Sequence, residues 1–290
     1  MTTRPVHHTG ENTGDDTADN TTDNTVGHEL AAIAREITRR AGEIALAGRR
    51  SGALRDVTTK TTGTDMVTEF DRRGEELIVG ELQRRRPHDA IVGEEGANHT
   101  GTSGITWFID PIDGTTSFLY DLPTWCVSVG ARDEHGPLAG AVYVPALDEM
   151  FWAVRGEGAY LGDARIRCNT DVDISRALCA TGFSYGAAHR TVQMRRVAEF
   201  IDKIRDIRRS GAAAIDLCFV ACGRVDAYFE ENLHPWDLAA GELIAREAGA
   251  LSGDYAGGPV RPAEVLVAVP SVFAPLSELL VAAAARHPHE

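Results

Sequence analysis

Two aspartates lie three residues apart where a buried strand is predicted to end. The apolar residues before them favour a strand, and Pro111 must end its ladder because proline has no backbone N–H to donate. Asp110 and Asp113 therefore leave the strand together and can converge on one point. Gly114 permits a tight backbone, and residues 115–117 can open a helix whose free N–H groups attract an anion. Carboxylates beside an anion site predict a hard cation between them, Mg²⁺ in particular.

A second predicted strand also runs into acidic residues. The apolar run 90–92 leads into Gly93, Glu94 and Glu95. Strands that end at the same edge of a sheet would bring these carboxylates beside Asp110. The alternative is that both segments are ordinary turns, because Asp-Pro, Asp-Gly and adjacent glutamates are common in exposed connections.

Two further aspartates have both a structural and a chemical interpretation. Asp237 could be the N-cap of a helix that begins at Leu238. Asp71 could close a capping box with Thr68 at the start of another helix. Either residue could instead add a carboxylate to the site described above.

Composition and charge argue against several classes of protein. Of the 290 residues, 43% are hydrophobic and 25% charged, as in ordinary globular proteins. The net charge of −14 argues against a protein that binds nucleic acid directly, since phosphate backbones are held by clustered Lys and Arg. The five cysteines form no zinc-ligand or CxxC pattern, which favours a reduced, cytoplasmic setting. No segment has the pattern of a signal peptide or a membrane span.

Apolar spacing predicts the elements that must position the acids. Residues 1–27, rich in Thr, Asp and Asn, predict a disordered acidic tail. Residues 28–165 predict an α+β half in which a helix pair covers a mainly antiparallel sheet. Residues 166–290 alternate strands and helices, which predicts a smaller mixed α/β unit. The predicted fold is a layered αβαβα sandwich with the acids at the seam between the two halves.

Individual helices can be placed from the same spacing. The first helix, residues 29–47, has an apolar face, and we expect all its members to be buried. They are Leu30, Ile33, Ile37, Ala41 and Ile44. In the second half the spacing predicts helices over residues 192–204, 212–222, 238–248 and 276–285.

Four motifs together resemble those of one known family. In order and spacing they are similar to the motifs of the inositol monophosphatase family, which are magnesium-dependent phosphatases. The motifs are Val67-Thr68 with Asp71, Gly93-Glu94-Glu95, Asp110-Pro-Ile-Asp113-Gly-Thr115, and Trp236-Asp237-x-Ala-Ala-Gly241. The resemblance covers residues 28–285. One such motif is weak evidence, whereas four in the right order are a specific signal.

The resemblance implies a metal centre of two or three Mg²⁺ ions. Its ligands would be Glu94, Asp110, the backbone carbonyl of Ile112, Asp113 and Asp237. Because clustered carboxylates repel one another, we expect the ions to stabilise the fold. The family also implies inhibition by lithium and a homodimer.

The resemblance further implies catalytic and substrate-binding residues. Thr115 would help Glu94 to activate the attacking water, and Asp71 would orient Thr115. Lys60 matches a family lysine near the active-site loop. The substrate contacts would be Gly114, Thr115, Ser184, Ala213 and Glu230.

One residue departs from the family pattern, and the substrate stays open. Ser117 stands where the family usually has Asn, which should change hydrogen bonds at a helix start and leave catalysis possible. A small polyol phosphate, inositol 1-phosphate, is the first choice, and histidinol phosphate or another sugar or nucleotide phosphate is the alternative. A different class is also open, because some bacterial relatives act by binding transcription or ribosome-assembly proteins. We expect no membrane partner.

Overall fold

Two helices cover one face of the larger of two main sheets. The computed structural model describes residues 17–51, 58–59, 66–67 and 69–289. Helix α1 spans Thr17–Arg50, and α2 spans Glu69–Arg85. Between them, β1 (Thr58–Thr59) and β2 (Met66–Val67) pair as an antiparallel ribbon. Lys60 and Thr68 lie outside the described residues.

Helix α1 begins earlier than the sequence predicts. It includes residues 17–27, which were expected to belong to a disordered tail. Val26 packs against the core of the larger sheet, and Asn24 Nδ2 donates to Glu157 Oε1 at 2.6 Å. These tertiary contacts favour a helix in a segment whose own composition does not. The part of the predicted tail before residue 17 lies outside the described residues.

The larger sheet has eight strands, most of them antiparallel. They are β3 (Ala90–Gly93), β4 (Asn98–His99), β5 (Thr106–Asp113), β6 (Cys126–Asp133), β7 (Gly136–Val144), β8 (Glu149–Val154), β9 (Gly158–Leu161) and β10 (Ala164–Ile166). Their order is β10-β9-β8-β7-β6-β5-β3-β4. Strands β3 and β5 run parallel, and every other described pairing in this sheet is antiparallel. A short helix, α3 (Thr115–Leu119), follows β5.

The smaller sheet has five strands and mixed directions. They are β11 (Leu178–Thr181), β12 (Asp206–Arg208), β13 (Ala227–Glu231), β14 (Leu251–Gly253) and β15 (Glu264–Ala268), in the order β12-β11-β13-β15-β14. Strand β11 is parallel to both its neighbours, and β15 is antiparallel to both of its own. The accompanying helices are α4 (Ala187–Ala198), α5 (Ala213–Ala221), α6 (Pro235–Leu238), α7 (Gly241–Glu247) and α8 (Pro270–Arg286).

The helices and sheets alternate in five layers. Helices α1 and α2 pack on one face of the larger sheet, α5 and α7 lie between the two sheets, and α8 packs on the smaller sheet, where it also contacts α4. The predicted αβαβα sandwich is therefore confirmed. Strand β10 ends at Ile166, close to the predicted boundary at residue 165. Because α5 and α7 also pack on the larger sheet, the division into two domains stays a prediction.

The predicted helix over residues 238–248 is two helices, α6 and α7, and the break has a steric cause. The backbone of Ala239 and Ala240 crosses the larger sheet where that sheet carries Gly130 and Gly140. A Cβ atom on Gly130 would lie 2.7 Å from the Ala239 carbonyl carbon. The close approach of the two backbones fixes the chain here and interrupts the helix.

Two other predicted helices are displaced in sequence. The helix expected over residues 192–204 begins and ends earlier, as α4. The last helix begins at Pro270, six residues before its predicted start. Proline is favoured in the first turn of a helix, and the apolar spacing does not show this start.

Strand β5 continues past Pro111, which contradicts the predicted strand end. Asp110 pairs with Ser128, and the ladder resumes where Asp113 pairs with Cys126. Three steps along β5 thus oppose two along β6, which is a β-bulge. The bulge accommodates the missing N–H of Pro111 inside the sheet.

The predicted apolar face of α1 is correct except at its end. Leu30, Ile33, Ile37 and Ala41 are buried, whereas Ile44 is 47% exposed. Ala45 is buried instead and packs in a small separate cluster with Phe70 and Ile112. The helical spacing from Ala41 fits Ala45 as well as Ile44, so periodicity alone does not separate them.

We expect Ile37→Ala to lower the free energy of unfolding by about 2–5 kcal/mol, because it leaves a cavity under α1. Ile44→Ala removes the same atoms from an exposed position and should change it by no more than about 0.5 kcal/mol. Urea unfolding of both variants measures the difference. Equal losses would contradict the described packing of α1.

Candidate active site

The parallel pairing of β3 and β5 places Glu94 beside Asp110. Gly93 pairs with Ile109, and the Glu94 N–H donates to the Ile109 carbonyl at 3.1 Å. The Glu94 carboxyl group is thereby placed close to that of Asp110. Burial, followed by repulsion from Glu94 and Asp113, raises the pKa of Asp110 well above its usual range. The two predicted strand ends therefore meet and bring their acids together.

Asp113 connects the end of β5 to the second half of the chain. Its Oδ2 atom accepts a hydrogen bond from the Ala214 N–H at 2.7 Å, in the first turn of α5. Burial raises the pKa of Asp113 to about 7, although the amides of Ala214 and Ala213 act in the opposite direction. Ala213, a predicted substrate contact, thus lies beside the acidic residues.

Asp237 lies in the first turn of α6 and not at the predicted N-cap. His234 is the N-cap, and its N–H donates to Asp237 Oδ2 at 2.7 Å, as in a capping box. Proline at the first helical position moves the helix start upstream of the predicted one. Burial, followed by repulsion from Asp113, also raises the pKa of Asp237 well above its usual range. Asp237 therefore stabilises a helix start and faces the other acids as well.

Thr115 lies between a buried carboxylate and the Ile112 carbonyl. Its Oγ1 atom is 3.3 Å from Asp71 Oδ1 and 3.1 Å from the Ile112 oxygen, and it can donate its single proton to either. Asp71 is fully buried in α2, so a role limited to capping that helix does not account for its position. The predicted pair of Thr115 and Asp71 is in contact.

One cavity of about 580 Å³ contains the predicted site. Its wall includes every predicted site residue except Asp71, which lies behind Thr115. These are Glu94, Asp110, Ile112, Asp113, Gly114, Thr115, Ser184, Ala213, Glu230 and Asp237. His189, Arg209 and Asp216 also line the cavity, although the sequence analysis gave them no role.

Glu230 is a half-buried carboxylate near the end of β13. The Tyr228 hydroxyl donates to its Oε2 atom at 2.6 Å. Burial raises the pKa of Glu230 to about 7, against the effects of Tyr228 and of the Arg209 charge. Gly182 leaves room for this side chain, since a Cβ atom there would lie 2.0 Å from a Glu230 carboxylate oxygen. Glu230 therefore offers an acceptor to a ligand in the cavity.

Ser184 lies in the loop that follows β11, next to the end of β13. Its N–H donates to Gln193 Oε1 at 2.9 Å, and its hydroxyl accepts from Asn232 Nδ2 at 3.4 Å. These contacts join the loop before α4 to the residues that follow β13.

Among the described residues, no three or more His, Cys, Asp or Glu side chains are arranged so that they could hold a metal ion as they stand. The acids instead contact backbone donors: Asp110 accepts from the Ile112 N–H at 3.0 Å, and Asp113 and Asp237 accept as described above. The chemistry of the set nevertheless fits a hard divalent cation. All its donors are oxygens, and the raised pKa values of Asp110, Asp113 and Asp237 show the cost of their charges without one.

Asp216 is a buried acid that the sequence analysis missed. It lies in α5 and is 2% exposed. Burial raises its pKa to about 8. The available signal was an aspartate within an otherwise apolar helix, at a position where a solvated carboxylate is not expected.

Ser117 connects the first half of the site to the second. Its hydroxyl donates to the Ser210 carbonyl at 3.4 Å, and Thr124 Oγ1 donates to the same carbonyl at 2.8 Å. Gly114, with φ of 91°, packs directly beneath this contact. A Cβ atom at this position would lie 2.9 Å from the backbone carbonyl oxygen of Thr124 and 3.2 Å from that of Gly211, so only glycine fits here. The expectation that Ser117 affects only hydrogen bonds at a helix start is thus too narrow, since it also bonds across the seam.

The model of the family described as inositol monophosphatase matches residues 27–289 of the chain. The chain belongs to the inositol monophosphatase family. An inositol-1-monophosphatase SuhB from Mycobacterium tuberculosis is 43% identical over 242 residues, which are 79% of this chain and 82% of that protein. A Nus factor SuhB from Salmonella typhimurium is 37% identical over 233 residues, 80% of this chain and 87% of that protein. The family thus includes similar relatives with two kinds of name.

Solved structures of the inositol monophosphatase family share this fold. The extragenic suppressor protein suhB from Bartonella henselae superposes with a TM-score of 0.82 at 32% identity, over 87% of this chain and 98% of that one. An IMPase from Thermotoga maritima gives 0.81 at 28% identity, over 89% and 99%.

The titration of Asp113 predicts a pH-dependent stability without metal. The unfolded residue ionises near pH 3.8 and the folded one near 7, so the folded state keeps a proton that the unfolded state has already lost. The stability linked to this proton is present below about pH 4 and is lost as pH rises through 7. In EDTA, the free energy of unfolding should fall more between pH 5 and pH 8 in the wild type than in Asp113→Asn. Mg²⁺ should stabilise the wild type more at pH 8 than at pH 5, and parallel profiles of the two proteins would contradict this account.

The bond from Thr124 to Ser210 should contribute measurably to stability. Thr124→Val keeps the shape of the side chain and removes the donor, and we expect a loss of about 1 kcal/mol. Thr191→Val is the control, because the Thr191 hydroxyl bonds only to the preceding turn of its own exposed helix. Urea unfolding compares them, and a Thr124→Val protein as stable as the control would show that the seam does not depend on this contact.

Proposed function

We propose that the chain is a Mg²⁺-dependent phosphomonoesterase that hydrolyses a small polyol phosphate, inositol 1-phosphate in the first place. The observation that carries the proposal is a single cavity in which acids from both halves face the Gly114–Thr115 turn and Glu230. Membership of the inositol monophosphatase family and the name of the Mycobacterium tuberculosis relative support the reaction class.

The acids of the cavity would form the metal centre. Two or three Mg²⁺ ions would be held by Glu94, Asp110, Asp113, Asp237 and the Ile112 carbonyl. When bound, they would neutralise the phosphate dianion and lower the pKa of an attacking water. Each acid would have to give up the backbone or carboxyl partner described above and take the ion instead.

Thr115 and Glu94 would orient the attacking water. The Thr115 hydroxyl can donate its proton to Asp71, which leaves its oxygen lone pairs free to accept from a water molecule. Glu94, at the end of β3, can accept the proton that this water loses. The amides of Gly114 and Thr115 would donate to the phosphate oxygens.

Glu230 supports a substrate that carries hydroxyl groups. An ionised carboxylate accepts hydrogen bonds from a polyol, and Arg209 lowers the pKa of Glu230 and so favours that form. Ser184 and Ala213 line the same part of the cavity. Histidinol phosphate is the second choice, because its amino group would also find an acceptor in Glu230.

A binding role is the second candidate function, and the relatives named Nus factor SuhB favour it. We further propose a cytoplasmic homodimer that lithium inhibits, without a direct nucleic-acid partner. Within the ranges that the structure describes, no helix has the length and apolar character that crossing a membrane requires.

Asp110→Asn tests the phosphatase proposal. It keeps the shape of the side chain but removes a negative ligand, so Mg²⁺-dependent phosphate release from inositol 1-phosphate should fall by about 10²–10³-fold. Asp163→Asn makes the same chemical change at a fully exposed position and should leave activity unchanged. Circular dichroism confirms that both variants fold.

Two outcomes would count against the proposal. Full activity in Asp110→Asn would remove this residue from the chemistry. An active wild type that prefers histidinol phosphate by orders of magnitude in kcat/KM would keep the phosphatase and change its substrate.

A further inference from the structure

Residue His289 reaches the rim of the active-site cavity from the far side of the second half. Its Nε2 atom lies 2.9 Å from Glu231 Oε2, and its ring meets the His189 ring edge to face, with centroids 5.1 Å apart. Both partners, Glu231 and His189, line the cavity, whereas His289 does not. His289 therefore contacts the wall of the cavity from behind.

Three further contacts hold the segment that carries His289, residues 286–289, and one of them is the bond from Arg286 Nη1 to Glu199 Oε2 at 2.5 Å. The His287 carbonyl accepts from Arg196 Nε at 2.8 Å, and His287 Nε2 lies 2.9 Å from Glu199 Oε1. The segment is thus fixed along α4, and His289 is held where it can meet Glu231.

The carboxylate of Glu231 depends on two partners. It is 6% exposed, and Arg196 Nη1 donates to its Oε1 atom at 2.5 Å. Arg196 is itself 8% exposed and balances the charge. A buried carboxylate oxygen without a donor is costly, and His289 supplies the donor for Oε2. Removing the imidazole would free one side of this buried group.

A displacement of Glu231 would move residues that line the cavity. Glu231 follows Glu230 directly in β13, so its backbone position also sets that of the proposed hydroxyl acceptor. The next residue, Asn232, has φ of 63° and donates to Ser184 Oγ across the cavity wall. His189, the other partner of His289, lies in the first turn of α4 and lines the cavity. One imidazole thus contacts two residues of the cavity wall, Glu231 on β13 and His189 on α4.

We propose that the 286–289 segment positions this wall through His289 and so sets the affinity for the non-phosphate part of the substrate. The inference rests on the proposed phosphatase function for its kinetic test. The phosphate end of the cavity, at Gly114 and Thr115, lies on the other half of the chain. The effect should therefore appear in KM and leave kcat nearly unchanged.

The kinetic test compares His289→Ala with His289→Gln, using inositol 1-phosphate and saturating Mg²⁺. We expect His289→Ala to raise KM about 5–10-fold with kcat within about twofold, because binding of the polyol is weakened in ground and transition state alike. His289→Gln keeps an N–H at the end of the side chain, can still donate to Glu231, and should restore most of the affinity. His135→Ala, at an exposed turn between β6 and β7, is the control and should match the wild type.

Amide hydrogen exchange without substrate separates this inference from the proposed function. His289→Ala should speed exchange in residues 182–189 and 230–233, and His135→Ala should not. Unchanged exchange in both segments would overturn the positioning role, even if the wild type hydrolyses no phosphate ester at all. Faster exchange with an unchanged KM would overturn the link to substrate affinity. A wild type without phosphatase activity would refute the proposed function, and exchange would still decide the role of His289.

Discussion

The main electrostatic cost in this structure is the repulsion between carboxylates that the fold brings together where its two halves meet. Asp110, Asp113 and Asp237 are brought from two parts of the chain to one cavity, and burial there raises the pKa of each carboxyl group. Backbone amides compensate only part of that cost, as the Asp113 bond to α5 shows. A group of like charges that the fold brings together at this expense favours the binding of a cation among them.

The two sheets carry different acidic residues of the cavity. The larger sheet delivers Glu94 and Asp110 because β3, in its one described parallel pair, ends where Gly93 pairs with Ile109 of β5, next to Asp110. The bulge at Pro111 then turns the chain so that Asp113 can reach α5. The smaller sheet carries Glu230. The hydrogen bonds from Ser117 and Thr124 to the Ser210 carbonyl join the segment after β5 to the segment before α5. The site therefore exists only when both halves are packed together.

Much of the fold and most of the site could be predicted from the sequence, for separate reasons. Apolar spacing reports burial, so the buried face of α1 as far as Ala41 and the bounds of α5 were predicted closely. The acids were assigned to one site because their motifs resemble those of a family. Local turn chemistry alone did not distinguish a metal ligand from an ordinary turn or cap residue. Asp237 shows why both interpretations survived, since it does stabilise a helix start and also faces the cluster.

Several of the errors share one physical origin, which is contact between segments distant in sequence. The early start of α1 depends on Glu157, and the break between α6 and α7 depends on glycines of the larger sheet. Asp216 and the 286–289 segment were missed for the same reason, because their partners, Ser210 and Glu231, are identified only by the folded chain. Periodicity within one element carries no information about such contacts.

The relatives carry the names of an inositol-1-monophosphatase and of a Nus factor, and the electrostatic cost of the clustered acids bears on the choice between an enzyme and a binding protein. A chain whose only task was to bind another protein would gain stability if neutral side chains replaced the acids in its cavity, since buried like charges destabilise a fold. A hydrolase needs those acids to hold a cation, and the cost is recovered when the ion binds. Four acids that face Glu230 across one cavity are therefore better explained by chemistry than by docking.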